Sequence, residues 1–127
     1  MNYLARRGKI EPGSELFGKA FENWVFHELS VHSRYSEKFY DLSYWRTSSG
    51  IEVDYILGNG EVAIEAKGKE MITTKDMKGL YNFKKDFPEV KHLIIVSLVK
   101  NAQKTKDGIH ILPHKEFIKK LWKGEFI

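Results

Sequence analysis

The sequence of 127 residues contains no cysteine, three prolines and no long hydrophobic run. The absence of cysteine excludes disulfide bonds, zinc–thiolate sites, iron–sulfur clusters and a cysteine nucleophile. It is compatible with the cytoplasm, where we expect the protein to be found. The longest apolar runs are short, such as the one from Leu93 to Val96, whereas a membrane-spanning helix needs about 20 apolar residues. We therefore expect no membrane partner.

Apolar residues are frequent enough to build a folded core. Hydrophobic residues make up 42% of the chain and aromatic residues 13%, which excludes a disordered or low-complexity protein. A chain of this length forms one domain. We therefore expect a single domain over residues 1–127, in which residues 1–13 are a lead-in.

Positive charge is concentrated near the end of the sequence. Residues 99–127 hold 7 lysines and 3 acidic residues, whereas the 14 basic and 14 acidic residues of 1–98 cancel. The later segment thus supplies the whole net charge of +4. Such a segment suits a phosphate-rich partner, but on charge alone we favour a solvated helix surface.

Apolar spacing and turn signals predict an α/β fold. They predict a helix over 15–34 with Ser14 as its N-cap, strands over 38–46, 51–57 and 61–67, a helix over 74–87, strands over 91–99 and 109–112, and a helix from Pro113 to about Lys123. Three hairpin-linked strands followed by a helical crossover imply a mixed central sheet with helices on both faces.

Two acidic residues and a lysine are predicted to meet on one face of this sheet. Strict alternation places Asp54 on one face of its strand, and Glu65 and Lys67 on one face of the next strand. The turn at 58–60, with the sequence Gly-Asn-Gly, pairs these two strands directly. We therefore expect Asp54 to lie beside Glu65 and Lys67.

Charged side chains on an apolar sheet face suggest a cation site, because buried charges cost free energy unless they are paired or bind an ion. Mg²⁺ prefers oxygen ligands, and one or two carboxylates hold it beside a phosphate. The constellation is physically suited to metal-assisted phosphodiester hydrolysis. The alternative is an ordinary Glu65–Lys67 pair, with Asp54 solvated at a strand edge.

The first helix adds a further acidic candidate. Glu22 falls at the edge of the apolar arc of this helix, one turn after Gly18, for which we predict close packing. The strand aromatics Tyr40, Tyr44 and Trp45 could stack on nucleic-acid bases, but we predict that they belong to the core.

These residues carry a resemblance to a known superfamily. The stretches 18–22, 51–54 and 64–67 look like the motifs of the PD-(D/E)XK restriction-endonuclease-like superfamily. The core of that superfamily has the same order of helix, three strands, helix and strand. A closer resemblance, over about residues 12–127, is to the C-terminal domain of unknown function of prokaryotic AAA-type ATPases, carried by the stretches 17–24, 44–47, 50–54, 64–67 and 107–113.

The resemblance implies a site and a partner. It implies Asp54 and Glu65 as metal ligands for Mg²⁺ or Mn²⁺, Lys67 as the catalytic lysine and Glu22 as the acid of the helix. It also implies an AAA-type ATPase domain of a longer chain as partner. Because the sequence contains no Gly-x-x-x-x-Gly-Lys-Ser/Thr motif, we expect a fragment or separately encoded remnant of such an ATPase.

Together, the residues and the resemblance favour a nuclease-like domain that hydrolyses DNA or RNA with Mg²⁺. Two alternatives stay open at the level of sequence. One is a catalytically silent module that binds nucleic acid or regulates the ATPase. The other is a protein-interaction domain that reuses the same fold.

Overall fold

The computed structural model of the protein describes residues 15–127. The predicted lead-in over 1–13 and the N-cap at Ser14 lie outside the described residues. Within 15–127, none of the helices is long and apolar enough to cross a membrane.

Residues 15–127 form ten elements, which keep the predicted order apart from one additional short strand and a divided second helix. They are α1 (Glu15–Tyr35), β1 (Leu42–Arg46), β2 (Glu52–Leu57), β3 (Val62–Lys67), a 3₁₀ turn (Thr74–Met77), α2 (Lys78–Asp86), β4 (His92–Ser97), β5 (Gln103–Lys104), β6 (Ile109–Pro113) and α3 (His114–Trp122). The predicted α/β architecture is confirmed as a six-stranded mixed sheet flanked by helices. The strands lie in the order β1-β2-β3-β4-β6-β5.

The two faces of the sheet carry separate apolar clusters. On one face, α1 and α3 pack over side chains that include Tyr55, Ile64 and Val96. On the other face, α2 packs over a second cluster that includes Val53 and Ile95. β3, β4 and β6 pair in parallel in the centre, and β1, β2 and β3 form an antiparallel meander at one side. Both faces of the central strands are therefore buried, as their continuous apolar sequence predicts.

Several elements differ from the sequence prediction, and the first strand begins at Leu42 rather than at residue 38. The predicted second helix is divided into a 3₁₀ turn and α2. Pro113 is the N-cap of α3 rather than a helical residue, and it ends β6. The sequence prediction missed β5, because a strand of two exposed polar residues gives no periodic apolar signal.

Strict alternation is wrong for β2, because a bulge interrupts its pairing with β1. Ser43 pairs with Ile56 and Trp45 pairs with Val53, so three steps of β2 match two steps of β1. Val53 consequently packs on the side of α2, although Tyr55 packs on the side of α1. A bulge of this kind bends a strand and redirects side chains. Asp54 lies inside it.

The prediction that the strand aromatics belong to the core is wrong for Tyr44, which is 68% exposed. Tyr44 lies opposite the bulge on β1, at the edge of the sheet. Its ring stacks against the guanidinium of Arg46. Trp45 and Tyr40 are half-buried and pack against the two apolar clusters, as predicted.

Close packing occurs at two glycines that the sequence did not single out, and not at Gly18. A Cβ atom added to Gly18 meets no heavy atom within 4 Å. A Cβ atom at Gly79, in the first turn of α2, would lie 2.4 Å from the carbonyl oxygen of Glu52. One at Gly68 would lie 2.9 Å from the Phe17 ring. Gly79 and Gly68 thus let α2 and α1 approach the ends of β2 and β3.

We expect Gly79→Ala to destabilise the protein and Gly18→Ala to stabilise it. Both glycines are helical, so alanine raises helix propensity at each by about 0.5–1 kcal/mol. At Gly79 this gain is outweighed by the clash with the Glu52 carbonyl, since overpacking costs about 1–3 kcal/mol. Urea denaturation of the two variants and the wild type measures both effects. An increase in stability in both variants would show that α2 does not approach β2 this closely.

Candidate functional site

Asp54 and Glu65 lie where the pairing of β2 and β3 ends. The last paired residues are Tyr55 and Ile64. Beyond them, the Ala66 N–H donates to Oδ2 of Asp54 at 2.9 Å. The Asp54 N–H donates to Oε1 of Glu65 at 3.3 Å. Each carboxylate therefore satisfies a backbone donor of the opposite strand, and the two side chains bridge the strands as they part.

Lys67 is the positively charged residue beside Asp54 and Glu65. Its Nζ lies 3.9 Å from Oε2 of Glu65. The Lys67 side chain is 33% exposed, whereas that of Glu65 is 6% exposed. The lysine thus extends from the buried carboxylate towards solvent. The structure brings Asp54, Glu65 and Lys67 together as the sequence predicted, while their functional roles stay predictions.

Glu22 reaches the same region from α1. The hydroxyl of Tyr55, which follows Asp54 on β2, donates to the backbone carbonyl of Glu22. This hydrogen bond ties α1 to the sheet at the level of the carboxylate pair. Burial raises the pKa of the Glu22 carboxyl, and the negative charge of Asp54 adds to the rise. The half-buried acid of the helix therefore belongs to the same electrostatic cluster.

Glu52 contributes a fourth carboxylate at the margin of the cluster. It forms an ion pair with Arg46 at 3.0 Å, in which both side chains are at least half exposed. Its charge raises the pKa values of the Asp54 and Glu65 carboxyls as a minor cause. Arg46 is thus engaged by Glu52, and Lys67 is the cation next to the buried pair.

The electrostatics of the pair follow from burial and mutual repulsion. Burial raises the pKa of Glu65 to about 8, with a further rise from Asp54 that Lys67 opposes. Burial also raises the pKa of Asp54, against the N–H of Ala66 and the charge of Lys67. Burial of Glu65 and partial burial of Asp54 thus disfavour the charged form of each acid, which a bound cation would favour.

The oxygens available at the pair fit a hard divalent cation. In the region covered by 15–127, Oδ1 of Asp54 and Oε2 of Glu65 accept no hydrogen bond, so one oxygen of each carboxylate can face an ion. The described residues contain no group of three or more His, Asp or Glu side chains arranged to hold a metal. A two-carboxylate set suits Mg²⁺ or Mn²⁺, which retain several waters.

Sequence reasoning missed the residues that shape the site without supplying a charge. The Tyr55 hydroxyl fixes α1 against β2, and Gly79 lies so close to the pair that an added Cβ atom would be 3.5 Å from Oε2 of Glu65. A glycine inside a predicted helix was the available signal for Gly79, since such a glycine often marks a close approach. Nothing in the local sequence pointed to the hydrogen bond of Tyr55.

Comparison with known proteins identifies the family to which this chain belongs. The model of the family described as "Domain of unknown function (DUF4143)" matches residues 17–117. No curated protein and no solved structure matches the chain significantly. The matched region contains all four predicted site residues, Glu22, Asp54, Glu65 and Lys67. Because the match extends over most of the sequence, the protein belongs to the DUF4143 family.

Proposed function

We propose that this chain is a nuclease-like domain that hydrolyses phosphodiester bonds of DNA or RNA with Mg²⁺ or Mn²⁺. The observation that carries the proposal is the convergence of Asp54, Glu65 and Lys67 at the point where β2 and β3 part. Carboxylates that hold a cation beside a phosphate, with a lysine within reach, are suited to this reaction.

Each residue of the cluster has a distinct role in the proposal. Oδ1 of Asp54 and Oε2 of Glu65 hold the cation, while their other oxygens hold the backbone of the opposite strand. Nζ of Lys67 orients the attacking water or offsets charge on the phosphate. Glu22 adds a carboxylate from α1 on the side opposite α2. When bound, Mg²⁺ polarises the phosphate and increases the acidity of water.

The fold assignment and the partner are part of the same proposal. The order of helix, three strands, helix and strand supports a restriction-endonuclease-like core. The resemblance of 12–127 to the C-terminal domains of AAA-type ATPases supports an ATPase domain as partner. Cleavage would then be coupled to the ATPase of a longer chain or of a separate protein.

One observation favours a catalytically silent module as the alternative. Oδ2 of Asp54 and Oε1 of Glu65 accept backbone hydrogen bonds across the parting strands. The two acids therefore stabilise the sheet even when no cation is bound, and a regulatory or nucleic-acid-binding domain would also benefit from them. Binding and cleavage measurements separate the two functions.

We expect Asp54→Asn to remove most of the affinity for divalent cations. The amide keeps an oxygen that can accept the Ala66 N–H, so the sheet is retained while one charged ligand is lost. Isothermal titration calorimetry with Mg²⁺ and Mn²⁺ measures the effect, with Glu61→Gln as control because Glu61 pairs with Lys91 on the surface. Equal heats for wild type and Asp54→Asn would exclude Asp54 from the site.

We expect Glu65→Gln and Lys67→Ala each to lower Mg²⁺-dependent cleavage by at least about a hundredfold. The two groups do different work, since Glu65 holds the ion and Lys67 positions water, so neither replaces the other. The assay uses single-stranded, double-stranded and branched DNA and RNA with Mg²⁺, Mn²⁺ or EDTA.

A matched pair of control variants accompanies this assay. Glu61 and Lys91 form an exposed acid–lysine pair 3.7 Å apart, away from the parting strands. Glu61→Gln and Lys91→Ala should leave cleavage unchanged. Cleavage that persists in EDTA or in Glu65→Gln would come from a contaminant. A protein that binds nucleic acid in a salt-dependent manner and cuts none would be the silent module.

A further inference from the structure

An aromatic cavity of about 330 Å³ lies between α1, the end of β4 and the start of α3. Its lining residues are Phe17, Ala20, Phe21, Trp24, Leu98 and His114. This volume is at the lower end of small-molecule pockets, which span about 300–1,000 Å³. The cavity is therefore suited to one small flat group.

Ring contacts give the cavity flat walls. The Trp24 and His114 rings meet edge to face, with centroids 5.6 Å apart. Phe21 contacts both, at 6.0 Å from Trp24 and 6.2 Å from His114. Trp24 is 36% exposed, so part of its indole is accessible from solvent. Accessible aromatic faces are the surfaces on which nucleobases stack.

A polar atom is left without a partner in these apolar surroundings. Nδ1 of His114 is buried and has no hydrogen-bond partner among residues 15–127. Because Nδ1 makes no hydrogen bond, the His114 ring can turn by 180° about its Cβ–Cγ bond without breaking a hydrogen bond at this atom. A ring turned so that this nitrogen faces the cavity would be paired by an occupant with both an aromatic face and a polar edge, and not by an aliphatic occupant.

The cavity adjoins the carboxylate cluster, which consists of Glu22, Asp54 and Glu65, both along the chain and in space. Glu22 follows Phe21 on α1, and Gly68 follows Lys67 at the end of β3. Gly68 in turn packs against Phe17 and Phe21, both of which line the cavity. The cavity and the cluster are thus neighbours through Gly68 and Glu22, so a nucleotide whose phosphate lies at the cluster could extend its base towards the aromatic walls.

We propose that this cavity is a subsite for one unstacked nucleobase, so that the substrate of the proposed nuclease is single-stranded. The inference rests on the proposed function, because that function supplies the neighbouring phosphate. A base in a duplex is stacked and paired, so it cannot offer its face to Trp24 in this open cavity without being extruded. A single strand presents its bases at no such cost.

The experiment compares binding of oligonucleotides that share phosphates but differ in their bases. The probes are a fluorescent oligothymidine, an abasic oligonucleotide of the same length and a duplex, measured by anisotropy with Ca²⁺ as an oxygen-binding cation, and electrophoresis of the recovered probes confirms that they are uncut. We expect the oligothymidine to bind most tightly. We expect Trp24→Ala to weaken its binding at least about fivefold, as base–aromatic stacking predicts, with little effect on the abasic probe.

Two further variants control for folding and for loss of any tryptophan. Trp24→Phe keeps an aromatic face and should retain most of the affinity. Trp122, on α3, is also a partly exposed helical tryptophan and lies outside the cavity, so Trp122→Ala should bind like the wild type. Far-ultraviolet circular dichroism and a thermal melt confirm that each variant is folded.

The outcomes separate the subsite from the nuclease. Equal binding of thymidine and abasic probes, unchanged binding by Trp24→Ala, or no binding of any probe would overturn the subsite. A protein that cuts in a Glu65-dependent manner yet gives one of these results keeps the nuclease and loses the subsite. A protein that distinguishes bases through Trp24 and cuts no substrate keeps the subsite and loses the nuclease.

Discussion

The candidate site depends on two hydrogen bonds across β2 and β3, in which the Ala66 N–H donates to the Asp54 carboxylate and the Asp54 N–H donates to the Glu65 carboxylate. β2 and β3 begin as an ordinary antiparallel pair and separate after Tyr55 and Ile64. Backbone donors exposed by such a separation would be costly in a buried place. The two carboxylates accept two of these donors, so the strands part without leaving them unpaired. The same geometry leaves Oδ1 of Asp54 and Oε2 of Glu65 without a backbone donor.

The helices then determine how strongly the carboxylates of Asp54 and Glu65 are buried. α2 closes one side because Gly79 allows its first turn to touch the backbone of Glu52. α1 closes the other side, where the hydroxyl of Tyr55 binds the backbone of Glu22. Burial from both sides accounts for the raised pKa values of the carboxyls. A bound cation would oppose this rise, because it favours the ionised form of each acid, as Lys67 already does for Asp54 and Glu65.

Most of the fold was predictable because its signals are local or periodic. The Gly58-Asn59-Gly60 turn fixes the β2–β3 hairpin, and the regular alternation of β3 correctly placed Glu65 and Lys67 on one face. The bulge at Asp54 was not predictable, because it arises from the pairing of β2 with β1 around Tyr44. Gly18 and Tyr44 were misassigned for a related reason. Whether a small or aromatic residue is packed depends on what lies opposite, and one sequence does not show that.

The double use of the acids changes how sequence variation in this family should be interpreted. Asp54 and Glu65 hold two strands together whether or not a cation binds, so a relative that has lost every chemical activity still gains stability from keeping both. Lys67 is one-third exposed and forms a long ion pair, so its replacement costs the fold little. Retention of the two acids in a relative would therefore indicate a preserved fold and would not by itself indicate a preserved activity. Under the proposed function, drift at position 67 with the acids intact would mark a lineage that has lost catalysis.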